Sequence, residues 1–187
     1  MRVSAEVMAY PMSYAQLPQG EFQALQMRFM QVDKDRSGSI SWLELQQALA
    51  ERGEHFKEDT CKLMIRMFDR NRTGGIDFDE FIELNRYMLT MRRAFQALDG
   101  DRSGTLDQGE ILRALQQGGY QLSPATFSQI WQAFDRTRNN VLRFDEYMEL
   151  SLFLGIARNL FMWQDQDRDG WITIDYSTLV MLAAMMR

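Results

Sequence analysis

Five segments of the chain repeat one twelve-residue pattern, with an acid at the first position and an apolar residue at the eighth. The first positions are Asp33, Asp69, Asp99, Asp135 and Asp165, and successive starts are 36, 30, 36 and 30 residues apart. Helix–loop–helix repeats fold in face-to-face pairs, because each unit alone leaves an apolar face uncovered. Five is an odd number, so one repeat has no partner within the chain and points to a second molecule.

The residues at fixed positions of the repeat are those of a calcium loop. Such a loop needs oxygen ligands at positions 1, 3 and 5, a main-chain carbonyl at position 7, a glycine turn at position 6 and a bidentate glutamate at position 12. Loops one and three meet every requirement. Their predicted calcium ligands are Asp33, Asp35, Ser37, Ser39 and Glu44, and Asp99, Asp101, Ser103, Thr105 and Glu110.

Loop two keeps the turn glycine and the closing glutamate, but the neutral Asn71 replaces a carboxylate at its third position. Fewer charged ligands weaken calcium binding without abolishing it. We therefore expect a weaker calcium site here. Its predicted ligands are Asp69, Asn71, Thr73, Gly75 and Glu80.

Loop four keeps its first and last acids only, Asp135 and Glu146. Asn140 replaces the turn glycine, and asparagine tolerates the left-handed conformation that the turn needs. Three arginines of this loop carry positive charge that opposes a cation: Arg136, Arg138 and Arg143. The pattern predicts a folded hand that holds no calcium.

Loop five is rich in acid at its start but ends in Tyr176, where the bidentate glutamate belongs. Asp175 stands one place too early and points to the wrong side of the first helical turn. Water, or Mg²⁺ with its preference for six ligands, would complete a weak site. The predicted ligands are Asp165, Asp167, Asp169 and the carbonyl of Trp171.

The spacing of the loops predicts an all-α fold of five helix–loop–helix hands built from eight helices. The two short intervals contain no proline, so hands two and three share one long helix, and hands four and five share another. The apolar eighth positions predict short strand bridges between paired loops. Residues 1–20 are expected to form a flexible arm and residues 21–187 the five-hand domain. The predicted helices span 21–32, 42–52, 57–68, 78–98, 108–117, 123–134, 144–164 and 174–186.

The last two helices carry apolar residues around most of their circumference. A helix that is apolar all round must be covered on more than one side. We expect this surface, which includes Leu179, Val180 and Met181, to meet a copy of itself in a two-fold dimer. The alternative is that hand five folds back on hand four.

The chain resembles the penta-EF-hand family. The stretches that carry the resemblance are Asp33-Lys-Asp-Arg-Ser-Gly, Gly119-Tyr-Gln-Leu-Ser123 and Asp165-Gln-Asp-Arg-Asp-Gly-Trp-Ile172. The resemblance implies a calcium-dependent adaptor and sensor that dimerises through its fifth hand, with calcium held mainly by hands one, three and five. It also implies binding to Pro- and Tyr-rich segments of proteins in membrane traffic or repair.

Within this resemblance, calcium in loops one and three is expected to open a groove lined by methionines and aromatic residues. Tyr120, Phe127, Trp131 and residues 88–95 are the candidate lining residues, and the alternative for each is a place in the core. The Pro- and Tyr-containing segment at residues 10–14 is either a disordered tail or an occupant of this groove. Two other functions remain open: the regulatory subunit of a calpain-like protease, paired through hand five as a heterodimer, and a calcium buffer.

The composition excludes several other classes. The net charge of −5, without a basic stripe, argues against nucleic acid as a partner. The single cysteine, Cys61, and the absence of a signal-like start predict a cytoplasmic protein. The resemblance implies that calcium would recruit it to membranes indirectly. His55, the only histidine, has no nucleophile in register, so we do not expect an enzyme.

Overall fold

The computed structural model describes residues 18–167 and 169–185. Most of the expected N-terminal arm, with its segment at residues 10–14, lies outside these residues. The described chain contains eight helices and two short strands, which confirms the all-α prediction. The helices are α1 Gln19–Val32, α2 Trp42–Ala50, α3 Glu58–Phe68, α4 Phe78–Leu98, α5 Gln108–Gln117, α6 Pro124–Phe134, α7 Phe144–Gln164 and α8 Tyr176–Met185.

Three helix ends differ from the predicted ends by two residues, and α3 and α6 each begin one residue later than predicted. Helix α1 begins at Gln19 rather than 21, directly after Pro18. Helix α2 ends at Ala50 rather than 52, and the chain turns through Gly53 at a φ of +80°. Helix α8 begins at Tyr176 rather than 174, because the Asp175 carboxylate accepts the Thr178 N–H and so caps the helix from outside it.

The first four loops are joined in pairs through their eighth positions. In the first pair, Ile40 and Ile76 exchange main-chain hydrogen bonds of 2.8 and 2.9 Å. In the second pair, β1 (Leu106–Asp107) runs antiparallel to β2 (Val141–Leu142), with Leu106 opposite Leu142. These four apolar side chains are fully buried, so each bridge also anchors its loops in the core.

The two long helices α4 and α7 connect the pairs, as predicted. Phe95 of α4 packs edge-on against Phe144 and Tyr147 of α7, with ring centroids 5.7 and 5.5 Å apart. The first half of α7 is therefore buried, and Met148 is inaccessible to solvent. This contact makes the four paired hands one continuous core.

Hand five is formed by α7, its loop and α8. The end of α7, the loop and α8 do not continue this core over their described side chains. Met162 and Trp163 at the end of α7 are 62% and 61% exposed. Trp171 in the loop is exposed, and so are Leu179 and Val180 on α8. Apolar surface that is uncovered on one chain is typical of an interaction site.

Candidate metal centres

The closing glutamate of each paired loop is held by the first turn of the helix that follows. In loop one, the Glu44 carboxylate accepts the N–H of Ser41 at 2.9 Å, while the Ser41 hydroxyl oxygen accepts the Glu44 N–H. The other Glu44 oxygen accepts the N–H of Lys34, at position 2, at 2.9 Å. This reciprocal cap fixes a buried carboxylate at the mouth of the loop.

Loop one gathers all its predicted ligands around one point. Carboxylate oxygens of Asp33, Asp35 and Glu44 lie within 4.8 Å of one another. Asp33 accepts the N–H groups of Ser37 and Gly38, which curl the loop around it. The Ser37 hydroxyl donates to the carbonyl of Ser39 at 2.9 Å, so the oxygens of positions 5 and 7 also face this point.

Hydrogen bonds favour the ionised form of two carboxylates of loop one, Asp35 and Glu44. The Ser37 hydroxyl and N–H lower the pKa of Asp35 below its usual value. Burial alone would raise the pKa of Glu44, but hydrogen bonds from Ser41 and from the Lys34 N–H outweigh it and lower that pKa. Since metal ligands must be deprotonated, protons compete weakly for this loop at neutral pH.

Loop three repeats the geometry of loop one. Asp99, Asp101 and Glu110 place carboxylate oxygens within 4.8 Å of one another. The Ser103 hydroxyl donates to the Thr105 carbonyl at 3.0 Å. Hydrogen bonds from the Ser103 hydroxyl and N–H to Asp101 lower the pKa of Asp101. The residues that the sequence assigns to this site are thus brought together by the fold.

Loop two has the same shape with one fewer carboxylate. The Asn71 amide donates to Asp77 at 2.9 Å, and its carbonyl oxygen accepts the Thr73 N–H at 3.1 Å. Glu80 is buried and accepts the Arg70 N–H at 2.8 Å. The Thr73 hydroxyl donates to the Gly75 carbonyl at 3.4 Å. The arrangement offers the predicted ligands, including Asp69, with less negative charge than loops one and three.

Loop four is closed by protein contacts. Asn140 has a φ of +61°, so it makes the left-handed turn that glycine makes in the other loops. From the sequence, Arg136 and Arg143 are charges that oppose a cation. In the structure both side chains turn onto Asp145 of α7, at 2.7 and 3.4 Å. The positive charge of these two arginines is therefore balanced by the helix that follows the loop.

Loop five gathers three acids but lacks a closing carboxylate. Asp165, Asp167 and Asp169 place oxygens within 4.8 Å of one another. Tyr176 is 82% exposed, and Asp175 is occupied in capping α8. The loop is open on the side where a glutamate would stand, so a bound ion there would need water ligands.

An apolar cavity of about 110 Å³ lies between α4, α5 and the middle of α7. Tyr120, one of the predicted groove residues, lines it together with Met91, Leu115 and Leu154. The Arg158 guanidinium lies over the Tyr120 ring at 5.0 Å and donates to the Gly118 carbonyl at 2.9 Å. Sequence periodicity misses Arg158 and the cavity residues on α5, because their approach depends on how three helices cross.

Two other predicted groove residues belong to the core. Phe127 and Trp131 are buried against each other, with ring centroids 6.1 Å apart, and neither lines the apolar cavity. Cys61 is also buried, as a helix residue of α3. Burial, with the nearby negative charge of Glu149, raises the pKa of its thiol to about 12, so it is a packing residue rather than a nucleophile.

The comparisons with known proteins agree with this geometry. The family model of the EF-hand domain pair matches residues 22–85 and 89–152, which are the two loop pairs described above. Penta-EF hand domain-containing protein 2 of Dictyostelium discoideum is 33% identical over 173 residues, which cover 92% of this chain and 83% of that protein. The chain belongs to the penta-EF-hand family.

Other family members extend the comparison. Human sorcin is 31% identical and is covered over 75% of its length, whereas human peflin, 34% identical, is covered over only 56%. A solved structure of a homolog of programmed cell death 6 protein from Leishmania major Friedlin is 37% identical with a TM-score of 0.74. The alignment covers 91% of this chain and all of that one. Membership implies calcium binding by the EF-hand loops. Among the described residues, no helix is long and apolar enough to cross a membrane.

Proposed function

We propose that this penta-EF-hand chain is a calcium-dependent adaptor whose principal calcium sites are loops one and three. The observation that carries the proposal is the buried closing glutamate in each loop, held by a reciprocal cap beside two aspartates. Binding of calcium to both oxygens of Glu44 would displace the hydrogen bonds that they accept from Lys34 and Ser41. The start of the exiting helix then moves with the ion, which is how a sensor hand reports calcium.

Loops two and five are proposed as weaker sites. Loop two has the full set of ligand positions, but the neutral Asn71 replaces the aspartate at position 3. It therefore fills at a higher calcium concentration than loops one and three. Loop five has three aspartates without a closing glutamate, which suits a cation that keeps several waters, including Mg²⁺. Loop four is proposed to hold no ion.

We propose that hand five pairs with hand five of a second copy. Its loop has no strand partner among the described residues, and its apolar side chains at Met162, Trp163 and Leu179 are exposed. A self-complementary patch on a two-fold axis covers both copies at once. The five-hand body, residues 21–187, would then act as the dimerising unit, with the N-terminal arm outside it.

The apolar cavity is proposed as the anchor point for a Pro- and Tyr-rich segment of a partner protein in membrane traffic or repair. Its volume of about 110 Å³ is close to that of a single ring, since an engineered cavity of about 150 Å³ holds benzene. The Arg158 guanidinium lies over the ring of Tyr120, which lines the cavity, and offers hydrogen-bond donors to a partner's carbonyl groups. In this proposal the protein is cytoplasmic, is not an enzyme and reaches membranes through its partners.

Capture of a synthetic Pro- and Tyr-rich peptide tests the adaptor function. The double variant Glu44→Gln with Glu110→Gln should lose calcium-dependent capture, because each loop then lacks its bidentate ligand. Glu51→Gln is the matched control, since Glu51 is an exposed carboxylate that pairs only with the Lys34 side chain in the described structure. Undiminished capture in the double variant would contradict the proposal.

A second candidate function is the regulatory subunit of a calpain-like protease, which the uncovered hand five also favours. In that case hand five pairs with a similar hand on a larger catalytic chain. The purified chain distinguishes the two, because an adaptor forms a defined dimer whereas an orphaned subunit aggregates or stays monomeric.

A further inference from the structure

Hand four contains a cluster of three nearly buried carboxylates. The side chains of Asp145, Glu146 and Glu149, on the first turns of α7, are 3%, 0% and 5% exposed. Buried acids are costly unless positive charge and hydrogen bonds compensate them. In a calcium-binding hand, the ion supplies that charge to the closing glutamate. In hand four the charge has another source.

Arg136, at position 2 of loop four, contacts all three acids. Its guanidinium nitrogens lie 2.7 Å from Asp145, 3.6 Å from Glu146 and 3.2 Å from Glu149. Its main-chain N–H also donates to Glu146 at 3.1 Å. Two outer cations complete the balance, since Arg143 pairs with Asp145 and Lys57 with Glu149. Three positive side chains thus face three negative ones.

Loop two provides an internal comparison. Arg70 occupies the same loop position as Arg136 and pairs with Glu83, which corresponds to Glu149. The Arg70 side chain is 59% exposed, whereas that of Arg136 is 22% exposed. Exposed ion pairs contribute little to stability, while a buried charge left without its partner is strongly destabilising. An arginine at position 2 therefore has a different role in loop two and in loop four.

We propose that Arg136 is a tethered cation that sets hand four without calcium and thereby positions loop three to bind it. The link is β2, which Arg136 helps to place by closing the loop that contains it. Leu142 of β2 pairs with Leu106 of β1, one residue after the Thr105 carbonyl that loop three offers to calcium. The partner of loop three, loop four, is therefore folded at all calcium concentrations. The partner of loop one is loop two, which is itself a weaker calcium site.

This inference rests on the proposed calcium site in loop three, and the experiment separates the two. In titration calorimetry, the tightest remaining calcium site is loop three in a Glu44→Gln background and loop one in a Glu110→Gln background, because loops two and five are the weaker sites. Arg136→Gln should lower the affinity of loop three at least about tenfold and leave loop one within about twofold. Arg70→Gln, the matched control, should leave loop three within about twofold.

Hydrogen exchange in EDTA supplies a readout that is independent of calcium. Arg136→Gln should remove protection from the first turns of α7, while Arg136→Lys, which keeps the charge, should retain part of it. If Arg136→Gln leaves the loop-three affinity unchanged, or lowers both loops equally, the inference is overturned. If the Glu44→Gln protein with Arg136 intact has no tight calcium site, and binds calcium only weakly, the proposed site in loop three fails instead.

Discussion

The two ends of helix α7 have similar apolar sequences and opposite surroundings. At its start, Met148 is fully buried and Phe144 packs against Phe95, while near its end Met162 and Trp163 are mostly exposed. The start belongs to hand four, which pairs with hand three through β1 and β2. The end belongs to hand five, which lacks such a bridge in the described residues. Pairing, and not the apolar pattern alone, decides which end of the helix is core.

The largest expected effect on stability is the difference between truncating a methionine at the start of α7 and truncating one near its end. Met148→Ala should lower the free energy of unfolding by about 2–5 kcal/mol, because it leaves a cavity where no solvent reaches. Met162→Ala should change it by less than about 0.5 kcal/mol in the monomer. Urea denaturation of both variants at low protein concentration measures the difference. Equal losses would mean that both ends are core.

The contact between paired loops can be broken at one glycine. A Cβ added at Gly75 would overlap the Ser39 hydroxyl oxygen, which can rotate away, and would lie 3.2 Å from the Ile40 carbonyl oxygen, which accepts the Ile76 N–H in the bridge. Gly75→Ala should therefore separate Ile40 from Ile76 and cost about 1–3 kcal/mol in unfolding free energy. Gly155→Ala, on α7 with no atom within 4 Å of its added Cβ, serves as the control. It should be neutral or stabilising, as alanine is in helices.

The incomplete loop five can be repaired at its last position. Tyr176→Glu places a carboxylate where the other four loops have theirs and should raise calcium affinity in loop five about tenfold or more. Calorimetric titration measures the gain, and Ser177→Glu adds the same charge one residue away as a control. A gain of equal size in both variants would show that charge, rather than ligand geometry, limits this loop.

The smallest effect is expected at the cap of α8. The Thr178 N–H holds the pKa of Asp175 below its usual value of 3.8. The stability that this bond provides is present above pH 3.8 and is lost as the pH falls through the lower, folded pKa. The protection factor for hydrogen exchange at the start of α8, which corrects for the slower intrinsic exchange in acid, should therefore fall in acid. Asp175→Ala should show the lower protection factor already at neutral pH, and unchanged protection in this variant would contradict the role as a cap.

The sequence was sufficient for the parts of the fold that follow from fixed spacing. Loop positions, the shared helices and the bridges at Ile40–Ile76 and Leu106–Leu142 all depend on residues at known offsets in a repeat. Asp175 is set off from the aspartate cluster of loop five, but its role as a helix cap was not predicted, since the predicted helix begins at residue 174. Turn chemistry at Asn140 was also legible, because few residues adopt its backbone conformation.

Other features depend on the direction of long side chains and on how helices cross. The guanidinium of Arg136 lies at the end of a long, flexible side chain. The sequence position of the residue therefore does not tell whether its charge faces the loop or α7. The apolar cavity combines Met91, Leu115 and Leu154 from three helices that are distant in sequence. Phe127 and Trp131 could line a groove or fill the core as far as the sequence shows, and the structure places both in the core, because burial depends on neighbours that periodicity does not specify.

Sedimentation equilibrium of the purified chain over micromolar concentrations tests most directly whether hand five joins two copies. The wild-type protein should sediment at twice the chain mass of 22.0 kDa. Leu179→Asp should sediment as a monomer, because it places a charge in the apolar patch. A wild-type protein that stays monomeric throughout the range, or a variant that dimerises as well as wild type, would contradict the role assigned to the fifth hand.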